Sequence, residues 1–243
     1  MSVFAEKHYP ESVVGKELDE YLARGWYRMG QSIFTTHFLC FGEQLYSAIW
    51  VRLKLPGFSF RKGQRKLMRR NAEEFTITYG PLEITEEKEL LYQRYKRHFR
   101  GHIARTLSES LLDDEDYQTF HTVEARIYDG DRLVGLSFFD VGQESAASIL
   151  GIYDPNYAIH SLGYYTMLLE MDYCLQHGLT YYYPGYVVPG YKRFDYKLRI
   201  GPVEYLQLST GDWINYDSQA GPDIPLDIMQ AKLAELQAAL EQR

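Results

Sequence analysis

The stretch SAASILGIYDPNYAIHSLGYYTMLLEMDYCLQHGLTYYY, residues 145–183, holds the pattern on which the fold turns. Ser145 to Tyr153 reads as a strand, Asp154-Pro155 breaks it, and a helical pattern runs from about Ser161 to the stop signal at Gly178. Leu179 to Tyr183 reads as the next strand. Just upstream, TVEARIYDGDRLVGLSFFDV (residues 122–141) is two β-rich segments joined at Asp129-Gly130-Asp131, a hairpin signal. Val203 to Leu208 supplies a further strand. Strands in this order, with a helix between the third and fourth, describe a mixed α/β sheet rather than a bundle or a sandwich.

The N-terminal half extends this frame. Leu18, Tyr21 and Leu22 have helical spacing that stops at Gly25, and Trp50 to Leu55 alternates apolar and basic residues before Pro56-Gly57, as a strand does. In RKGQRKLMRR, residues 61–70, basic doublets recur every four residues, so on a helix Arg61, Lys62, Arg65, Lys66, Arg69 and Arg70 form one basic side. A second helix is predicted over residues 85–104, capped by Thr85 and carrying Arg94, Arg97 and Arg100 as an extension of that basic face. The acidic LDDEDYQ segment suggests a boundary near residue 115, dividing a basic N-terminal α+β subdomain, 1–114, from a second domain, 115–243. The latter ends in an amphipathic helix carrying Leu226, Met229, Leu233, Leu236 and Leu240.

The charge is uneven. The whole chain of 243 residues carries −7, but residues 1–105 hold 18 Lys/Arg against 12 Asp/Glu, leaving 8 basic and 21 acidic residues for the remainder. One half can face an anion that the other repels. No run approaches the roughly 20 apolar residues of a membrane helix, and the N-terminus lacks a signal-peptide core, so a soluble, cytoplasmic protein is expected. Cys40 and Cys174 are too few for a disulfide framework or a thiolate metal site. His98 and His102, four apart without acidic or thiol partners, read as surface residues rather than as metal ligands.

Two segments are dense in chemistry. In YDPNYAIHSLGYYTMLLEMDYC, residues 153–174, a strand end leads to a helix whose first turn holds Ser161 and Gly163, where unpaired N–H groups suit a phosphate, a carboxylate or a developing oxyanion. An ordinary strand-loop-helix joint with a Ser cap explains the same letters. In YYYPGYVVPGYKRFDYK, residues 181–197, seven aromatic, four Gly/Pro and four charged residues fit a lined pocket or a decorated hairpin.

Together these segments resemble the arginyl-tRNA-protein transferases and the related leucyl transferases for acidic N-termini. That family carries a strand-ending Tyr-Asp-Pro, a Ser-Leu-Gly-x-Tyr helix start, a Tyr-Tyr-x-Gly-Tyr and a Lys-Met-x-Tyr-Lys. This chain has Tyr153-Asp154-Pro155, Ser161-Leu162-Gly163-Tyr164-Tyr165, Tyr182-Tyr183-Pro184-Gly185-Tyr186 and Arg193-Phe194-Asp195-Tyr196-Lys197 in that order. Arg24-Gly25-Trp26-Tyr27-Arg28 is similar to an early Arg-Gly-Trp-Arg-Arg element, so the likeness spans most of residues 17–208. The sequence departs from the family in its N-terminal region, where only Cys40 stands in place of a cysteine cluster. It departs again at Arg193 for Lys and at Tyr191 for Cys.

The resemblance implies a GNAT-like acyltransferase sheet that takes its acyl group from aminoacyl-tRNA as co-substrate, with no cofactor; the missing cysteine cluster, spaced in many relatives as a metal or iron-sulfur site, leads to the expectation of no metal. It implies transfer of an amino acid, arginine in the first instance, to the α-amine of a protein or peptide N-terminus, an acidic one. Asp154, Ser161, Gly163 and Tyr186 are the expected catalytic positions: the helix start would serve the ester carbonyl and Asp154 would hold the donor ammonium or orient the incoming amine. Tyr153, Pro155, Leu162, Tyr182, Tyr183, Gly185, Arg193, Tyr196 and Lys197 are the expected substrate contacts. Arg61 to Arg70 with Arg94, Arg97 and Arg100 would meet tRNA phosphates, which confer salt-dependent, largely sequence-independent binding. Two alternatives remain open: a GNAT-type N-acetyltransferase using acetyl-CoA, and a non-catalytic relative that binds N-termini or tRNA.

Overall fold

The computed structural model describes residues 5–99, 101, 103–216 and 222–241. The chain opens with β1 (Ala5–His8), α1 (Lys16–Ala23), β2 (Tyr27–Met29), β3 (Ser32–Thr36), β4 (Phe38–Phe41), β5 (Gln44–Ser47) and β6 (Ile49–Lys54). It continues through α2 (Lys62–Glu74), β7 (Thr76–Pro81), α3 (Glu86–Lys96) and α4 (Leu107–Leu112). After β8 (Thr122–Asp129), β9 (Arg132–Val141) and β10 (Ser145–Tyr153) comes a 3-10 helix at Pro155–His160, then α5 (Leu162–Gln176) and β11 (Tyr181–Val187). A second 3-10 helix at Lys192–Arg199, β12 (Val203–Leu206), β13 (Trp213–Asn215) and α6 (Pro225–Glu241) complete it.

The mixed α/β sheet expected from residues 145–183 is present as eight strands in the order β13-β12-β6-β11-β10-β9-β8-β7. β7, β8, β9 and β10 run antiparallel in turn, the β8–β9 turn falling at the Asp-Gly-Asp signal with Asp129 opposite Arg132. Only β10 and β11 are parallel, and α5 makes the crossover that such a pair requires. Phe138 and Phe139 on β9 show why both sheet faces are covered. Alternation sends Phe139 into a core with Met167, Leu168 and Met171 of α5, and Phe138 into one with Leu91, Leu107 and Leu111 of α3 and α4. Each ring is fully buried, which contributes about 1.5–3 kcal/mol.

Three boundaries differ from expectation. The sheet draws strands from both sides of residue 115, because β6 lies between β11 and β12 and β7 pairs with β8, so the halves share one sheet. Helix α3 ends at Lys96 rather than 104, since its last turn tightens to bonds from His98 N to Tyr95 O and Phe99 N to Lys96 O. Strand β11 runs on through Pro184-Gly185, which a bulge against β6 between Tyr182 and Gly185 accommodates; proline, lacking an N–H, belongs at such a break. Leu226 and Met229 of α6 are half-buried and Leu233 is exposed, while the side chains of Leu236 and Leu240 lie outside the described residues. Among the described residues no helix is long and apolar enough to cross a membrane.

A buried ion pair ties the N-terminal β1-β3-β2 sheet to the large one. Arg28 on β2 donates Nη1 to Asp140 Oδ1 on β9 (2.7 Å) and to Thr122 on β8 (2.7 Å), Nη2 to the Leu111 carbonyl, and Nε to the Gly30 carbonyl (2.7 Å). Its guanidinium also lies 4.7 Å from the Phe120 ring centroid. Burial raises the Asp140 carboxyl above the ordinary aspartate range, against the opposing pull of Arg28. Replacing Arg28 alone strands a buried carboxylate. Arg28→Met is therefore expected to cost about 3–5 kcal/mol, read as a lower urea midpoint, and adding Asp140→Leu to recover more than half of it.

Candidate active site

β10 and β11 pair only over Ser145–Tyr181, Ala146–Tyr182 and Ala147–Tyr183. Beyond that point β10 continues beside β9 to Tyr153, and β11 beside β6 to Val187, each after a bulge, at Ser148/Leu150 and at Tyr182/Gly185. The strands part there and a cavity of about 830 Å³ opens between them. Ser148, Ile149, Gly151 and Tyr153 of β10 and Pro184 of β11 line its floor. The 3-10 turn and the start of α5 form one wall through Pro155, Ala158, Ser161, Leu162, Gly163, Tyr164, Thr166 and Met167. Tyr95 near the end of α3, with His98 and Phe99 just beyond it, forms a further side, and Arg193, Tyr196 and Lys197 of the second 3-10 helix, with Tyr191 just before it, form the last.

Close packing fixes the helix start. A Cβ on Gly163 would stand 2.9 Å from the Tyr153 ring, so only glycine lets α5 begin against the end of β10. Ser161 precedes it in the left-handed region (φ 52°) and its side chain makes no capping bond, unlike the Ser cap the sequence suggests. The first N–H groups of a helix lack partners within it, and here those of Leu162 and Gly163 belong to residues on the cavity wall. Across the cavity, the Arg193 guanidinium lies 4.2 Å from the Phe99 ring centroid and joins the second 3-10 helix to α3.

Eight of the expected positions therefore meet in one cavity: Tyr153, Pro155, Ser161, Leu162, Gly163, Arg193, Tyr196 and Lys197. Five do not line it. Asp154 is fully buried, accepts from Arg132 Nη2 (2.6 Å) and Asn156 N (3.0 Å), and faces Arg94 Nε at 3.4 Å, so it anchors the turn instead of meeting a ligand. Strand alternation turns Tyr182 toward α5, where its hydroxyl donates to Glu170 (2.7 Å), and Tyr183 to the opposite face against Trp213. Tyr186 packs edge-on against Trp50, and Gly185 lies behind Lys197.

Two buried ionisable groups adjoin the site from different elements. Glu170 is buried behind the floor and accepts from Ser137 as well as Tyr182; burial pushes its carboxyl up to about 7, against the lowering effect of these bonds. Burial pushes the Lys197 ammonium down to about 7. No Asp or Glu is among the described residues that line the cavity, whereas Arg193, Lys197 and His98 are.

The expected basic row on α2 is exposed at Arg61, Lys62, Arg65, Lys66, Arg69 and Arg70, while Gln64, Leu67, Met68 and Asn71 turn inward. Three hydrogen bonds join α2 to the 3-10 turn and the start of α5: Arg70 Nη2 to Ile159 O (3.2 Å), Asn71 Nδ2 to His160 O (2.9 Å) and Gln64 Nε2 to the Tyr164 hydroxyl (3.0 Å). Arg97 is exposed, Arg94 is committed to Asp154, and Arg100 and His102 lie outside the described residues. His98, read from sequence as a surface residue, is exposed at the cavity rim. Tyr95, His98 and Phe99 were missed as wall residues, although their i, i+3, i+4 spacing marks a single helix face. Cys40 is exposed on β4 and Cys174 is buried on α5, and among the described residues no group of three or more His, Cys, Asp or Glu is arranged to hold a metal. These residues do not fit a thiolate cluster.

Known proteins are similar to this chain in sequence and in structure. The family model described as Arginine-tRNA-protein transferase, C terminus, matches residues 87–207. An aspartate/glutamate leucyltransferase of Helicobacter hepaticus is 31% identical over 192 residues, covering 76% of this chain and 77% of its own. Proteins of the same description from Leptospira interrogans (24% over 216 residues; 86% and 82% covered) and Vibrio cholerae (27% over 199; 81% and 83%) also match. Among solved structures, FemX gives a TM-score of 0.44 at 11% identity, covering 78% of this chain and 65% of that one. A GCN5-related glucosamine N-acetyltransferase region of a fungal β-N-acetylglucosaminidase gives 0.41 at 13%, covering 78% and 22%. With sequence likeness that runs through every wall of the cavity and beyond it, the chain belongs to the aminoacyl-tRNA-protein transferase family.

Proposed function

We propose that this protein moves a leucyl group from charged tRNA to the α-amine of a protein N-terminus that begins with Asp or Glu. The observation that carries the reading is the sign of the cavity: Arg193, Lys197 and His98 line it, with no carboxylate among the described lining residues. A donor arginine would bury its guanidinium there without a counter-charge, at a cost that an uncharged side chain against Ile149, Leu162 and Met167 avoids. An acidic acceptor finds the Arg193 guanidinium instead. The names of the curated relatives point the same way, while the name of the family model favours arginine.

An aminoacyl ester is already activated, so the work is alignment and charge stabilisation. Holding amine and ester in line supplies about 7–11 kcal/mol of the barrier. In this reading the N–H groups of Leu162 and Gly163 receive the developing oxyanion, the rings of Tyr95, Phe99 and Tyr153 receive the terminal adenosine, and Arg193 holds the acceptor's acidic side chain. Asp154 acts at one remove: it neutralises Arg132 and Arg94 beneath the turn that sets the helix start. The exposed row of α2 follows the acceptor-stem phosphates.

The direct test incubates the protein with leucyl- or arginyl-tRNA and peptides beginning Asp, Glu or Ala, and reads product mass. Leucyl adducts on the Asp and Glu peptides are expected; arginyl adducts alone would reassign the donor, and acetylation from acetyl-CoA with no aminoacyl product would reject the reading. Asp154→Asn, which leaves two guanidinium groups without their carboxylate, is expected to lower kcat by roughly tenfold to a hundredfold with unchanged circular dichroism. Reversing Lys62, Lys66 and Arg69 to Glu is expected to raise the KM for charged tRNA about tenfold or more. The same change should reduce the slope of log affinity against log salt by about 2–3.

A further inference from the structure

We infer that Lys197 is the base that takes the proton from the acceptor's α-ammonium, a role that rests on the transfer reading above. Its amine is built into the cavity wall rather than left on a flexible arm. Nζ donates to the Tyr186 carbonyl (3.1 Å) and lies 5.1 and 5.2 Å from the Tyr186 and Phe194 ring centroids. The chain makes room for it: Gly185 has φ +97°, and a Cβ at that position would stand 3.1 Å from Nζ. The Pro184-Gly185 bulge and Lys197 thus form one device, two motifs separate in sequence serving a single amine.

Among the described residues Lys197 has no carboxylate partner. Tyr186 faces it from β11, Tyr27 from β2 beside Gly185, Arg193 and Tyr196 from its own 3-10 helix, and Tyr95 and His98 from α3 across the cavity. Glu170 of α5 is engaged behind the floor by Ser137 and Tyr182. The two rings favour the cation, but burial outweighs them and brings the amine to about 7, below the acceptor amine's ordinary value of about 8. A lysine so poised is half neutral near pH 7, and its bond to a carbonyl leaves the lone pair of the neutral amine unused in a residue that lines the cavity.

The step balances without any further reagent. The acceptor ammonium gives one proton to the Nζ lone pair, and its freed nitrogen attacks the ester carbonyl carbon, forming the C–N bond as the C=O π electrons move onto oxygen. As the oxyanion collapses, the bond to the ribose oxygen breaks, and that oxygen takes the second proton lost by nitrogen. Lys197 then returns its proton to water. The products are the amide, the free tRNA hydroxyl and one proton.

Lys197→Met and Lys197→Arg, each checked by thermal unfolding, separate this role from charge or packing. Both are expected to lower kcat about 10²–10⁴-fold with the peptide KM within about threefold of wild type, since neither methionine nor guanidinium accepts a proton. The wild-type limb in kcat, rising with pH through about 7, should vanish in Lys197→Met, and small primary amines should restore turnover in proportion to their neutral fraction. Three results overturn the assignment: Lys197→Arg near wild-type rate, Lys197→Met changing KM alone, or the limb persisting there and moving with His98→Gln. Wild-type protein inactive with every donor and acceptor defeats the transfer reading instead. Competitive acetic-anhydride labelling of the wild-type chain then tests Lys197 separately: a midpoint near 7 supports the base and one near 10 overturns it.

Discussion

The site depends on two neighbouring strands that stop being neighbours. β10 and β11 share three paired positions and then separate, each bulged at the same level and each continuing beside a different partner. Exposed main-chain groups inside a protein are costly, so a parting of this kind persists only where other hydrogen bonds absorb them. β9 and β6 do that on the outer sides, and the Tyr27 hydroxyl, donating to the carbonyls of Ser148 and Tyr183, bridges the fork from β2. The N-terminal sheet thereby closes the back of the gap whose mouth is lined by α5, α3 and the second 3-10 helix.

Two kinds of buried charge then do different jobs around the fork. Arg28 with Asp140, and Lys88 with Glu124 (2.6 Å), are closed pairs that orient elements. Among the described residues Glu170 and Lys197 form no ion pair, and burial moves both toward neutrality near pH 7. The structural ions face opposite charges at hydrogen-bond distance, whereas Glu170 and Lys197 are held in the protonation range where enzymes exchange protons. Segregation of this sort allows a rigid scaffold and a responsive site to occupy the same small volume.

Local signals were legible and long-range pairings were not. The Asp-Gly-Asp turn, the helix from Ser161 to Gly178 and the basic row of α2 are written in spacings of a few residues, and each appears as read. The insertion of β6 between β11 and β12 joins residues more than a hundred positions apart, which no local period encodes. The same limit explains the site. Tyr153, Ser161, Gly163 and Lys197 could be grouped from ordered motifs, but which of three consecutive tyrosines faces inward depends on the register at 181–183 and on a bulge that a proline only hints at. Asp154 looked like a ligand-facing acid because its two arginine partners lie on α3 and β9, distant in sequence.

The two bonds from α2 to the carbonyls of Ile159 and His160 give the molecule leverage. Those carbonyls belong to the turn that precedes the first N–H groups of α5, so on the proposed reading a load on the basic face would bear on the point where the ester would sit. Grip on a distant part of a long donor can thus be converted into alignment of its reacting end. A donor pared down to its terminal aminoacyl-adenosine forgoes that conversion, and its handicap falls on turnover as much as on affinity.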